Sequence, residues 1–226
     1  MDQKLFYLVN QQWASPWLDW PMVLLSSLDF WAPFAGLIIG WYLVRGGFRS
    51  RMFILCLGIT VALTDGLVGN GLKKLVNRPR PRQVEAVRVL DLAKRKPRFL
   101  AITQPLVVKT SRPEEPPIEG RSFPSGHTMN CFAVATVAFL FFRRWGALAY
   151  LVALGVGVSR LYTGAHWPSD VAFSIGLGCA MGALGTWITG ALWRRCGSRW
   201  LPQVFANHPT MLSASAPEIR SEPIPT

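Results

Sequence analysis

Acidic residues are scarce in this 226-residue chain: 12 Asp and Glu stand against 24 Lys and Arg, for a formal charge of +12. Histidine is scarcer still, with three, and cysteine comes to four. No CxxC occurs; Cys56, Cys131 and Cys179 sit inside apolar runs and Cys196 just past the last one. That placement excludes the disulfide scaffold of a small secreted domain and makes these cysteines small buried hydrophobes. No cluster of carboxylates, His and Cys suggests a metal site, and no cofactor motif is found. The start, Met1-Asp2-Gln3-Lys4-Leu5-Phe6, lacks the basic opening and small-residue cleavage site of a signal peptide. The apolar runs also lack the polar stripe that a helix on a soluble core keeps. Aromatic residues lie in those runs rather than among the Lys and Arg, which argues against nucleic acid as the reason for the charge.

What the chain does have is apolar length, with half its residues hydrophobic and 10 Trp. The runs are separated by short basic connectors, the pattern of several membrane-spanning helices at roughly 20 residues each. The expectation is an all-α, integral-membrane helical bundle of five to six transmembrane helices in one domain, residues 1–195. Residues 3–20, with Trp13, Trp17 and Trp20 among polar neighbours, predict an interfacial helix. Spans are expected from Pro21 to Val44, Met52 to Leu72, Phe123 to Phe142, Trp145 to Tyr162 and Ser169 to Trp193. Residues 76–123 turn Arg-, Lys-, Pro- and Glu-rich, a long loop outside the hydrocarbon of the kind that carries function. The tail from Cys196 reads as disordered and cytoplasmic. Arg45, Arg49 and Arg51, then Arg143 and Arg144, then Arg194, Arg195 and Arg199 fall on one side of a five-span arrangement. The positive-inside rule places that side in the cytoplasm and the long loop outside an inner (cell) membrane.

Three stretches at the outer face carry chemistry. Lys73-Lys-Leu-Val-Asn-Arg-Pro-Arg80-Pro81 ends the second span, Arg121-Ser-Phe-Pro124-Ser125-Gly126-His127 opens the third, and Ser159-Arg160-Leu-Tyr-Thr-Gly-Ala-His166-Trp-Pro-Ser-Asp170 joins the fourth to the fifth. Lys73, Arg80 and Arg160 supply cations and forked donors suited to phosphate oxygens. Pro124-Ser125-Gly126 begins a helix, whose free N–H groups favour an anion and whose glycine admits close approach. His127 and His166 can move a proton or attack phosphorus near neutral pH. Asp170, four residues after His166, is within a helical turn and could hydrogen-bond the imidazole. Taken singly, each piece has a plainer reading: a basic flank, a helix start, an interfacial histidine, a chance pair. Two of the three histidines falling beside phosphate-type donors is what joins them. Asp29, Asp65 and Asn70, inside apolar runs, are read as packing or support for the site. Lys74, Arg78 and Arg82 leave open which cations would meet a phosphate.

The three stretches together resemble the type-2 phosphatidic acid phosphatases, whose signature is Lys-x6-Arg-Pro, Pro-Ser-Gly-His and Ser-Arg-x5-His-x3-Asp. All three parts are present, in order and with intact spacing, from about Leu72 to Asp170. The resemblance implies a metal-independent lipid phosphate phosphatase with no cofactor. In it His166 is the nucleophile of a phosphohistidine intermediate, Asp170 orients it, and His127 is the acid and then the base. Lys73, Arg80, Ser125, Gly126 and Arg160 hold the phosphoryl oxygens. Undecaprenyl pyrophosphate, phosphatidylglycerol phosphate, phosphatidic acid and the 1-phosphate of lipid A all fit as substrates, with the bilayer as setting and the oligomeric state open. Rival readings are a lipid phosphotransferase with the same intermediate, a vanadium haloperoxidase, which the apolar runs disfavour, and a non-catalytic lipid transporter.

Overall fold

The computed structural model describes residues 1–113 and 121–212. It opens with α1 (Asp2–Tyr7), continues as a π-helical turn at Leu8–Gln12, and enters α2 (Pro16–Ser26) and α3 (Leu28–Arg45). Next come α4 (Phe48–Val61), a π-helical stretch at Ala62–Gly69, α5 (Asn70–Val76) and the single turn α6 (Pro81–Val84). Strands β1 (Arg88–Asp91) and β2 (Val107–Thr110) pair antiparallel, Arg88 opposite Thr110 and Asp91 opposite Val107. Then follow α7 (Gly126–Phe142), α8 (Arg144–Tyr162), α9 (Pro168–Leu192) and the short α10 (Ser198–Trp200) and α11 (Pro202–Asn207).

Helix α7 is the centre of the bundle, packed on α8, α9 and α4. Close approach of α9 to α7 depends on small residues: a Cβ on Gly178 would lie 2.4 Å from the Met129 carbonyl oxygen, and one on Gly182 2.6 Å from that of Ala133. These contacts are the kind by which membrane helices associate without a hydrophobic drive between them. Outside the bundle Leu37, Ile38, Val44, Leu151, Val152 and Trp187 stand exposed, a surface that only lipid tails suit. The molecule is an integral-membrane helical bundle. Among the described residues, Phe48–Val84, Arg144–Tyr162 and Pro168–Trp200 are long and apolar enough to cross a membrane, and the α2–α3 pair makes a fourth if taken together. The expected third span corresponds to α7, 17 residues long.

Several expectations are corrected. The first span, predicted as continuous from Pro21 to Val44, is broken at Ser27, where α2 and α3 meet at 56°. Polar Ser26, Ser27 and Asp29 interrupt the apolar run at this point, and a pair of small polar residues is a known place for a helix to kink. The carbonyls released at the bend are nonetheless satisfied: Val23 accepts from the Ser27 hydroxyl at 2.7 Å, Leu24 from the Trp31 indole at 3.0 Å, and Ser26 from Arg160 at 3.1 Å. Within the loop 76–123, whose shape the sequence leaves open, the β1–β2 hairpin stands beside an otherwise helical fold. The N-terminal stretch is helical as expected, with Phe6, Val9 and Asn10 buried against the protein and Trp13 and Trp17 exposed. The tail expected to be disordered from Cys196 is ordered as far as 212, with Met211 buried beside Met52, Cys56, Val137 and Phe141. Residues 213–226, and 114–120 of the loop, lie outside the described residues.

A second cluster sits at the opposite end, where Val9, Val23, Leu90, Leu161, Tyr162 and Val171 bring together the N-terminal segment, α2, β1, α8 and α9. Asn10, fully buried, donates to the carbonyls of Arg88 at 2.8 Å and Tyr162 at 2.9 Å. Arg88 pairs with Asp19 at 2.7 Å, and Asp19 accepts from the Tyr162 hydroxyl at 2.6 Å. The end of α8 is thereby fixed against the hairpin, immediately before the histidine turn.

Candidate active site

The three sequence stretches meet at this end of the bundle. Lys73 lies in the last turn of α5, Arg80 is the residue before α6, and Gly126 opens α7. Arg160 lies in the last turn of α8, and Asp170 in the first turn of α9. Between them Thr163–Trp167 forms a tight turn, with Gly164 at φ +73°; a Cβ there would meet the Arg88 carbonyl at 2.8 Å, so the glycine is required by both conformation and space. A Cβ on Gly126 would stand 3.3 Å from Lys73 Nζ, which puts the ammonium directly over the start of α7. His127 and Arg160 share a cavity of about 250 Å³ with Arg82, Asp91, Ser26 and Ala165. Next to it, and sharing Arg82 and Asp91, is a larger cavity of about 540 Å³ lined by Arg80, Lys109, Arg112 and Arg121.

His166 is buried, 3% exposed. Its Nδ1 lies 2.7 Å from the backbone carbonyl of Ser122. A carbonyl only accepts, so Nδ1 carries the proton and Nε2 keeps its lone pair. Burial, followed by the nearby charges of Arg160 and Arg80, pushes the imidazole well below its ordinary titration range, against the raising effect of the Ser122 bond. The side chain is therefore neutral near pH 7 and nucleophilic at Nε2. The charges of Arg160, Arg80 and His127 all act on it, and its backbone N–H donates to the Arg160 carbonyl at 3.3 Å.

Here the structure departs from the sequence expectation. Asp170 does not bond the imidazole directly; its Oδ2 is 3.9 Å from Nδ1, beyond hydrogen-bond range. The same oxygen accepts instead from the Ser122 hydroxyl at 2.5 Å and from the Trp167 backbone N–H at 3.0 Å. Asp170 thus holds the two residues that flank His166 in space: Ser122, whose carbonyl takes the imidazole proton, and Trp167, next in the chain. Its other oxygen pairs with Arg78 at 2.6 Å. Arg78 is thereby engaged as a counter-ion to a carboxylate with no exposed surface, which separates it from the cations that face the cavities. Ser122 carries no signal in the sequence, although it lies two residues before Pro124, because its role rests on pairing its hydroxyl and its carbonyl with the distant Asp170 and His166.

The remaining site residues divide by environment. Arg160 is held by Ser26 through its carbonyl and hydroxyl, while its Nε is buried with no hydrogen-bond partner among the described residues. A buried donor left open in this way calls for a ligand. Ser125 is fully buried and its hydroxyl is shared with Thr128 at 3.0 Å, while its backbone N–H donates to Ser174 at 2.8 Å; it shapes the entry to α7 from within. Asp65 accepts from Asn130 at 2.9 Å, and its Oδ1 would lie 3.8 Å from a Cβ on Gly126, beside the site rather than in it. Asp29 faces Arg98 at 4.0 Å. Among the described residues no three His, Cys, Asp or Glu side chains group as a metal would require.

Comparison with known proteins gives this arrangement a family. The PAP2 superfamily model matches residues 52–194, from α4 through the end of α9. This chain belongs to the PAP2 superfamily. Phosphatidylglycerophosphatase B of Escherichia coli K12 is 30% identical over 182 residues, covering 71% of this chain and 70% of that protein. A lipid A 1-phosphatase of Porphyromonas gingivalis is 40% identical over 77 residues, but the match covers 32% of this chain and only 17% of the relative's length. Among solved structures, Aquifex aeolicus LpxE superposes with a TM-score of 0.59 at 25% identity, covering 81% of this chain and 93% of that one. The PAP2 match encloses all three motifs, and the structural overlap extends to the membrane-embedded bundle that surrounds them.

Proposed function

We propose that this PAP2 protein is a lipid phosphate phosphatase that cleaves a phosphomonoester or pyrophosphate of a membrane lipid through a phosphohistidine. The observation that carries this reading is His166: a neutral imidazole, proton fixed on Nδ1, lone pair on Nε2, surrounded by Arg80, Arg160 and a second imidazole. Nε2 attacks phosphorus and the bond from phosphorus to the lipid oxygen breaks, while His127 delivers a proton to that oxygen. Water then attacks the phosphohistidine, His127 accepts its proton, inorganic phosphate leaves and His166 is restored. Lys73, Arg80, the open Nε of Arg160 and the backbone at Gly126 stabilise the charge that builds on the phosphoryl oxygens. Asp170 acts through Ser122, and Ser125 supports the start of α7. No step in this scheme needs a metal or cofactor.

Undecaprenyl pyrophosphate, phosphatidylglycerol phosphate, phosphatidic acid and lipid A 1-phosphate are the candidate substrates. The second basic cavity, with Lys109 and Arg112 on the hairpin side, suits the anionic headgroup beyond the scissile phosphate. The site faces the outer side of the cell membrane, opposite the arginine connectors Arg143-Arg144 and Arg194-Arg195; a cysteine at Lys109 that labels only after the inner leaflet is breached would reverse this orientation. The deciding experiment is phosphate release by detergent-purified protein with EDTA present, across those four lipids, with His166→Ala as control. Metal-independent release that disappears in the mutant is expected. Undiminished release by His166→Ala would end the phosphohistidine scheme.

A further inference from the structure

Asp2 stands far from the three motifs in sequence, yet its carboxylate is built into their support. Oδ2 pairs with Arg78 Nη2 at 2.6 Å and accepts from the Ser169 hydroxyl at 2.7 Å, and Oδ1 accepts from the Ser169 backbone N–H at 2.9 Å. Arg78 passes the connection on, its other terminal nitrogen donating to Asp170 Oδ1 at 2.6 Å and to Ser169 at 2.7 Å. From Asp170 the chain runs through the Ser122 hydroxyl at 2.5 Å and the Ser122 carbonyl to His166 Nδ1 at 2.7 Å. Every link is at hydrogen-bond length. Asp2 and Asp170 grip the two ends of one planar guanidinium, which fixes its plane as a single carboxylate would not. Although partial burial works against the charge, Ser169 and Arg78 hold the Asp2 carboxyl below the usual range, so it is an anion throughout the neutral region. Packing follows the same route. Phe6 lies 5.3 Å, centroid to centroid, from the ring of Trp167, the residue after His166, and Arg78 sits over the other side of the network at 5.5 Å from that ring. The Trp167 indole is itself held by the Pro79 carbonyl at 3.0 Å.

We infer that Asp2 is a positioning residue for the nucleophile: through Arg78, Asp170 and Ser122 it sets the placement of the His166 imidazole, making α1 a working part of the active site. This rests on His166 being the nucleophile, and the test separates the two claims. Asp2→Asn keeps the shape of the side chain and removes its charge; Asp2→Glu keeps the charge. Misplacing a reacting group by about 1 Å costs on the order of a hundredfold, so Asp2→Asn is expected to lower kcat about ten- to a hundredfold with KM changed by less than about twofold. Asp2→Glu should recover a substantial part of the loss. Independently of turnover, the imidazole resonances of isotope-labelled histidine can be assigned by single replacement, since the chain has only three. The His166 resonance should move in Asp2→Asn, while that of His208 should not.

Unchanged kcat with an unmoved His166 resonance would overturn the inference. So would equal damage in Asp2→Asn and Asp2→Glu accompanied by a lowered melting temperature, which would make Asp2 a fold contact only. If the wild-type protein releases no phosphate from any lipid, the proposed activity fails, and the His166 resonance alone still decides whether Asp2 is linked to it.

Discussion

Ser122→Ala discriminates between two ways of mounting the same histidine. If Asp170 bonded His166 directly, as the spacing of the two residues suggests, losing the Ser122 hydroxyl would matter little. In the structure Asp170 lies 3.9 Å from Nδ1 and grips Ser122 at 2.5 Å instead. The mutation then deletes a charge-assisted hydrogen bond in a fully buried setting, worth about 1.5–3 kcal/mol. It leaves Asp170 Oδ2 with the Trp167 N–H alone and frees the Ser122 main chain to drift from the imidazole. Where that energy is expressed in the transition state, each 1.4 kcal/mol or so is tenfold in rate, so kcat should fall about ten- to a hundredfold. The assay is single-turnover formation of acid-labile phosphoenzyme by purified protein, with thermal unfolding in detergent as the control for folding. Asp170→Asn should be at least as damaging, because it alters the partners of Ser122, Trp167 and Arg78 at once. Ser122→Ala within twofold of wild type, beside a collapsed Asp170→Asn, would refute the indirect mounting and restore a direct pair.

Four further outcomes follow from the geometry. Because burial and the neighbouring arginines lower the His166 titration, the acid limb of kcat/KM should lie below pH 6.5, the ordinary histidine value; a half-point above 6.5 would contradict the neutral imidazole. The same depression means that the unfolded chain takes up a proton first as pH drops through 6.5, so the histidine's contribution to stability is lost downward from there, readable in melting temperature against pH. Gly178→Ala would force a Cβ to within 2.4 Å of the Met129 carbonyl oxygen, an overpacking cost of about 1–3 kcal/mol, seen as a lowered melting temperature and, because Met129 is two residues from His127, as reduced kcat. Lys109→Glu with Arg112→Glu should weaken KM for the more highly charged headgroups most, and an equal effect on all lipids would detach the second cavity from headgroup selection.

Much of this site could be read from the chain because chemistry that must act together leaves residue types that stand out. Lys73, Arg80, His127, Arg160 and His166 are conspicuous against apolar runs, and membrane geometry confines them to one face. The apolar runs likewise gave the helices, since a bilayer demands length and continuity that local composition records. What stayed hidden depends on distant pairing. The bend at Ser27 is marked locally only by Ser26, Ser27 and Asp29 within an apolar run, while one of the partners that satisfies its carbonyls, Arg160, comes from another helix. The strands are four residues each, too short for an alternation to be distinguished. Arg78 looks like one more phosphate cation until Asp2 and Asp170 are seen on either side of it. Ser122 joins a main-chain carbonyl on His166 to a hydroxyl on Asp170, 48 positions away, and neither pairing is marked in the local sequence.

The contact between Asp2 and Ser169 spans 167 positions of the chain, and this has a consequence for how the protein comes into being. Asp2 meets Ser169 only once α9 is present, and Arg78 waits across 92 positions for Asp170. Such distant closures are made late, after the local helices have formed. Ser169 and Asp170, which bond Asp2, Ser122 and the Trp167 backbone, both stand at the start of α9, so the mounting of His166 closes only when α9 packs against α1 and the entry to α7.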